Sequence, residues 1–170
     1  MDNEKVKEIP YMDKSYNEKR KILRRQHFIS KDIFELTNQV LYKVLKKIKP
    51  NKFVDYKEVI KHILVDGYVA YEKIYDDNDK VIALNPIDPI SLVLSVEKDG
   101  QILWHQNKGT PFARILYDSQ VLYVKSGLES YTSLVELCYI KMIDKDSKYS
   151  LKYCVDSVVD SYNESFLKIK

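Results

Sequence analysis

Hydrophobic positions change their period several times along the chain, and each change predicts an element. From Ile33 to Ile48 the apolar residues fall on one helical stripe, made by Ile33, Leu36, Val40, Leu41, Val44, Leu45 and Ile48. Ser30 precedes it as an N-cap with Asp32 in the first turn, and Pro50 predicts its end. A shorter helical pattern follows with Val59, Ile60, Ile63 and Leu64 on one face. Asp55 and Glu58 have the capping-box spacing at its start. Gly67 suits the left-handed residue that ends a helix, because it has no Cβ to clash there. From Tyr68 to Tyr75 the period drops to two and β-formers dominate. Asp76-Asp77-Asn78-Asp79 reads as a polar turn, and Val81 to Leu84 as the returning strand, leading to Asn85-Pro86-Ile87-Asp88-Pro89.

Before these elements, Ser15 to His27 predicts a first helix with Ile22 and Leu23 as its main apolar residues, and residues 1–12 read as a tail, mobile or bound to a partner. After them a meander is predicted: Ile90–Val96, a turn at Lys98-Asp99-Gly100, then Gln101–Gln106, Ala113–Tyr117 and Val121–Val124. Helical spacing resumes after Ser126-Gly127, first through Leu134 to Met142 and then through Leu151 to Leu167. Connections between the strands are too short for parallel crossovers. The expected fold is therefore α+β: N-terminal helices packed on an antiparallel β meander of five or six strands, followed by C-terminal helix. The expected organisation is a tail over 1–12, one domain over 13–146 and a C-terminal helical segment over 147–170.

Composition narrows the picture further. A chain of 170 residues is long enough for one real core. No stretch approaches the ~18 consecutive apolar residues of a membrane helix, so no membrane partner is expected. Residues 1–10, MDNEKVKEIP, lack the apolar region of a signal peptide. Cys138 and Cys154 lack metal-ligand spacing and read as reduced core or boundary thiols. Net charge is only +3, yet Lys14 to His62 holds 14 Lys and Arg against 5 Asp and Glu. That excess of nine reads either as a solvated helical face or as a surface for an acidic partner, with Lys19, Arg20, Lys21, Arg24 and Arg25 as its densest part. No aromatic residues interleave with the cluster, so only non-specific contact with DNA is indicated.

Candidate chemistry is sparse. The acidic turn at 76–79 lacks the glycine and closing glutamate of an EF-hand. His27, His62 and His105 read as isolated surface or boundary histidines, and no glycine-rich loop is present to cradle a phosphate. Asp66 and Asp88 are the most pointed carboxylates, and read structurally as a helix C-terminal residue and a turn cap. No catalytic, metal or cofactor-binding residue is expected.

Five segments, in order, resemble the portal (head-to-tail connector) protein of tailed bacteriophages, especially those with contractile tails. Tyr16-Asn17-Glu18-Lys19-Arg20-Lys21-Ile22-Leu23-Arg24 resembles the family's early helix. Leu64-Val65-Asp66-Gly67-Tyr68 with Glu72-Lys73-Ile74-Tyr75-Asp76 is similar to the passage from helix to hairpin in the wing region. Ile87-Asp88-Pro89 resembles the step that closes that hairpin. Residues 114–124, RILYDSQVLYV, resemble the strand pair before the long helices, and 131–141 resemble the start of the first of those. The structural motif residues are thus Asp66, Gly67, Tyr68, Asp88, Pro89 and Asp118.

The resemblance runs from Ser15 to about Lys145. Portal proteins are several times longer; their stem helices, clip and crown have no counterpart here, and Lys46 to Asp55 is shorter than the family's equivalent. The expectation is a fragment, a trimmed chain or a divergent short relative of the wing. What the resemblance implies is a non-enzymatic structural subunit without cofactors, in a homo-oligomeric ring at one capsid vertex of the virion, assembled in the host cytoplasm. Its partners would be other portal subunits, the packaging motor, and capsid and tail proteins, with DNA passing through the ring. The alternative is a small basic nucleic-acid- or protein-binding module of phage or mobile-element origin that uses the Lys14–His62 surface.

Overall fold

Two antiparallel sheets and a layer of helices stack on one another. The computed structural model describes residues 7–128, 132–139, 150–167 and 169. Its strands are β1 (Lys7–Glu8), β2 (Tyr68–Tyr75), β3 (Val81–Ile87), β4 (Leu92–Val96), β5 (Ile102–Gln106), β6 (Arg114–Tyr117) and β7 (Val121–Lys125). Its helices are α1 (Lys14–Ile29), α2 (Lys31–Leu45), α3 (Tyr56–Asp66), α4 (Leu134–Tyr139) and α5 (Leu151–Leu167). The α+β class read from the sequence holds: N-terminal helices, antiparallel strands with β4–β5–β6 as a meander, and a C-terminal helix.

The strands do not form one continuous meander, however. They divide into a three-stranded sheet, β3-β2-β7, and a four-stranded sheet, β1-β4-β5-β6. The alternation along β2 explains the division, because successive side chains point to opposite faces. Val69 and Tyr71 join Leu84, Leu122 and Val124 in a core shared with Val40, Leu41, Ile60, Ile63 and Leu64 of the helices. Tyr68 and Ala70 point the other way, into a second core with Leu92, Leu94, Trp104 and Leu116 of the four-stranded sheet. The first half of β2, Tyr68 to Tyr71, is thus buried on both faces, and it reads apolar where a one-sided strand would alternate with polar residues. Trp104 is fully buried, packs against Tyr123 with tilted rings whose centroids lie 5.2 Å apart, and donates its indole N–H to Asp118 Oδ1 at 3.0 Å.

Local signals set α3 and its hairpin. Asp55 caps α3 by accepting the backbone N–H of Lys57 at 3.1 Å. Gly67 ends it at φ +88°, in the left-handed region, with its N–H on the Ile63 carbonyl. The acidic turn satisfies itself: Asp76 Oδ1 accepts the N–H groups of Asn78 and Lys80, each at 2.9 Å.

Several expectations need correction. The tail over 1–12 does not hold for 7–12, because β1 pairs with β4 and Met12 is fully buried between the sheets. The α2 helix stops at Leu45 rather than running to Pro50, although Ile48 still reaches the core from the turn that follows. Of the two apolar residues expected to anchor α1, only Leu23 is buried; Ile22 is 60% exposed. The C-terminal segment is not separate, since Cys154, Val155, Val158, Tyr162 and Phe166 of α5 share the helix-side core with α2 and α3. Residues 140–149, where continuity between the last two helices would be decided, lie outside the described residues.

Candidate functional site

The inward face of α1 carries Asn17, Arg20 and Leu23 at spacings of three, and all three are buried. Arg20 is 0% exposed, which costs dearly unless every donor finds an acceptor. Its Nε donates to the Asp66 carbonyl at 2.8 Å, one Nη to Asn17 Oδ1 at 2.8 Å and the other to the Tyr11 carbonyl at 2.5 Å. The guanidinium also lies over two rings, 4.6 Å from the Tyr16 centroid and 4.7 Å from that of Tyr68. Burial pulls the Arg20 pKa below its ordinary value, opposed by its aromatic and acidic neighbours.

One turn further, Arg24 bridges two carboxylates from different elements. Its Nε and one Nη grip Asp66 at 2.7 and 2.9 Å, a bidentate pair, and the same Nη reaches Asp88 Oδ1 at 2.7 Å. Asp66, the last residue of α3, is 1% exposed, so this pair neutralises a charge that water cannot reach. Partial burial works against the Arg24 charge, but hydrogen bonds from Asp66 and Asp88 outweigh it and raise its pKa. Asp88 is held below the usual carboxylate range, because the Arg24 guanidinium and the Ile90 N–H prevail over partial burial. Asp88 thereby caps the 3-10 turn Pro89–Ser91, and the Tyr68 hydroxyl donates to the Pro89 carbonyl at 3.3 Å.

The same helix reaches α4. The Tyr16 hydroxyl and the Lys19 ammonium both donate to the Glu136 carboxylate. Burial, then Glu136, pushes the Tyr16 hydroxyl far above its ordinary pKa. Across the two sheets, Arg114 of β6 holds Glu72 of β2 in a bidentate pair at 2.8 and 3.2 Å.

This geometry corrects the basic surface read from the sequence. Arg20 is interior, Arg24 is committed to two carboxylates, and Lys19 is paired with Glu136. Lys21 is exposed and pairs with Glu18 at 2.9 Å, which leaves Arg25 as the exposed member of the cluster with no ion pair among the described residues. Of the structural motif residues, Asp66, Gly67, Tyr68, Asp88 and Pro89 meet at one junction, while Asp118 stands apart from it, exposed in the turn after β6, where it accepts the Trp104 indole N–H.

Beside the junction opens a cleft of about 480 Å³. Its floor is the helix-facing side of β2 and β3, with Val69, Tyr71, Leu84 and Pro86. Phe53 and Val54, with Asp55, Glu58 and His62 of the α3 region, also line it. Arg24 and Asp88 of the junction do so as well. His62 was expected to be isolated but lies between two carboxylates, with Nδ1 3.4 Å from Asp66 and Nε2 3.9 Å from Glu58. The signal was present in the sequence: Glu58, His62 and Asp66 are spaced by four, which stacks them on one helix face.

Elsewhere the reactive groups are quiet. Burial pushes the Cys138 and Cys154 thiols up to about 12 and about 11, so both stay protonated near neutral pH. His105 Nε2 lies 2.8 Å from the Ser95 hydroxyl, and burial followed by Lys108 lowers its pKa. Among the described residues no helix is long and apolar enough to cross a membrane. No protein-family model matches the chain, and no curated protein matches it.

Proposed function

We propose that this chain is a structural subunit of the portal type, related to the wing of the head-to-tail connector, acting in capsid assembly and DNA packaging without catalysing a reaction. The supporting observation is that the five segments carrying the resemblance are wired to one another. The early helix, through Arg20 and Arg24, holds the end of α3 and the Asp88-Pro89 step. Through Tyr16 and Lys19 it holds Glu136 of α4, and Arg114 ties the β6 end of the strand pair to Glu72 of the hairpin. Polar residues spread over more than a hundred positions are spent on mutual neutralisation. Such an arrangement fixes layers against each other, which suits a part that transmits load in an assembly.

The competing reading, a basic nucleic-acid-binding module, loses its strongest residues to this network, because Arg20 is fully buried and Arg24 is already paired with two carboxylates. The test is immunogold labelling of particles purified from cells that carry the gene, with an antibody against this chain. Label at a single vertex per particle is expected. Particles without label, or labelled over the whole shell, would overturn the proposal.

A further inference from the structure

We infer that the cleft between α3 and β3 docks a segment of a partner protein that presents a lysine or arginine between aliphatic side chains. Its floor is apolar, and its volume of about 480 Å³ lies in the range of sites that enclose a small group. Its mouth carries Asp55, Glu58 and Asp88 against a single fixed cation, Arg24, which is already paired with Asp66 and Asp88. The mouth is therefore negative although this part of the sequence is strongly basic, and it repels both phosphate and anionic lipid. A side chain with an apolar stem and a cationic head matches that layout, since the stem covers the floor while the head stays among the carboxylates.

The adjoining main chain favours a protein segment over a free amine. Among the described residues β3 is an edge of its sheet, with β2 on one side and no strand on the other. Leu84, Pro86 and Ile87 of this edge strand line the cleft, and an edge strand can pair with an extended segment, as in peptide recognition. Pro86 removes one donor from that edge and so limits open-ended pairing. This inference stands apart from the portal-type reading: vertex labelling can succeed or fail without changing the outcome here.

The experiment is an NMR titration of the full chain with a blocked peptide in which one lysine stands between leucines. The matched glutamate-for-lysine peptide and n-butylamine serve as the comparison probes. With the lysine peptide, amide shifts are expected at Glu58, His62, Tyr71 and Leu84. Affinity should fall about tenfold for the glutamate peptide and similarly for Glu58→Lys. Glu164→Lys, an exposed change on α5, should leave it unaltered. Should Glu58→Lys unfold the chain, Glu58→Gln removes the charge with the same chain length and should weaken binding in the same direction. Equal affinity for the two peptides, equal shifts from n-butylamine alone, or no shift at millimolar peptide would each overturn the assignment.

Discussion

The two sides of the α3–hairpin junction are built from the same kinds of residue and used in opposite ways. On the α1 side, Arg20 and Arg24 meet the Asp66 carbonyl and carboxylate, Asn17, Tyr11 and Asp88, with Arg20 fully buried and Arg24 paired with two carboxylates. On the cleft side, Asp55 and Glu58 face an opening, with His62 as the nearest partner of Glu58 at 3.9 Å. A buried ion pair adds little net stability over an apolar replacement, but removing one member leaves the other stranded. Exposed charges have water as an alternative and can be exchanged at small cost. One side therefore braces the fold, and the other is free to meet something else.

The largest effect is expected where saturation is most complete. Arg20→Ala removes three hydrogen bonds, strands the Asp66 and Tyr11 carbonyls, and opens a hole between the Tyr16 and Tyr68 rings. A loss of roughly 3–5 kcal/mol follows from the stranded acceptors and the cavity together. Urea unfolding followed by Trp104 fluorescence measures it. Arg20→Lys keeps the charge but not the planar fork, and should recover less than half of the loss. A loss below about 1 kcal/mol for Arg20→Ala would mean that the α1 side is not a brace.

Next comes the contrast itself, Arg24→Ala against Glu58→Ala. Arg24 is about one-third exposed, so its removal should cost less than a fully buried ion would, on the order of 2–3 kcal/mol, mostly from the unpaired Asp66. Glu58→Ala should stay within about 0.5 kcal/mol, as for an ordinary exposed position. Salt sharpens the difference, because a buried pair is poorly screened while the cleft carboxylates are screened over a Debye length of about 10 Å at 0.1 M. The Arg24→Ala deficit should therefore persist in high salt. Equal effects of the two substitutions would erase the distinction between the two sides.

Legibility in the sequence followed the range of the forces involved. Asp55 and Gly67 act within a turn of their own position, so the start of α3, its end and the following hairpin were all visible. Among the described residues, however, no return bond from the Glu58 side chain completes the expected capping box. The pairing of β7 with β2 joins residues some fifty positions apart, and nothing local announces that the strands will divide between two sheets. Arg20 was misread for a related reason. Within Lys19-Arg20-Lys21 it resembles its neighbours, and only the Asp66 carbonyl, 46 positions away, makes it an interior residue. A hint was available in Asn17, Arg20 and Leu23, which share a helix face and so place the arginine on the side of the buried leucine. Ile9 and Met12 gave a similar hint that the start of the chain packs inward, but a two-residue strand has no periodicity to read.

The smallest effect belongs to Asp88, which stands on the border of both sides. Its carboxylate accepts from Arg24 and from the Ile90 N–H, yet its side chain is 57% exposed. Asp88→Asn keeps an oxygen for the Ile90 N–H and removes only the charge facing Arg24. The loss near neutral pH should therefore stay within about 1 kcal/mol, the range of exposed pairs. Its pH dependence carries the sign of a carboxyl whose folded pKa is depressed. The stabilisation is fully present above the ordinary value of 3.8 and disappears as the pH falls through the lower folded value. The gap between the parent chain and Asp88→Asn should thus be widest near neutrality and close below pH 3.8, read as urea midpoints across that range. A gap that stayed constant into acid would show that the loss comes from the cap and not from the charge. Asp88 would then belong to the turn alone, and the brace would end at Asp66.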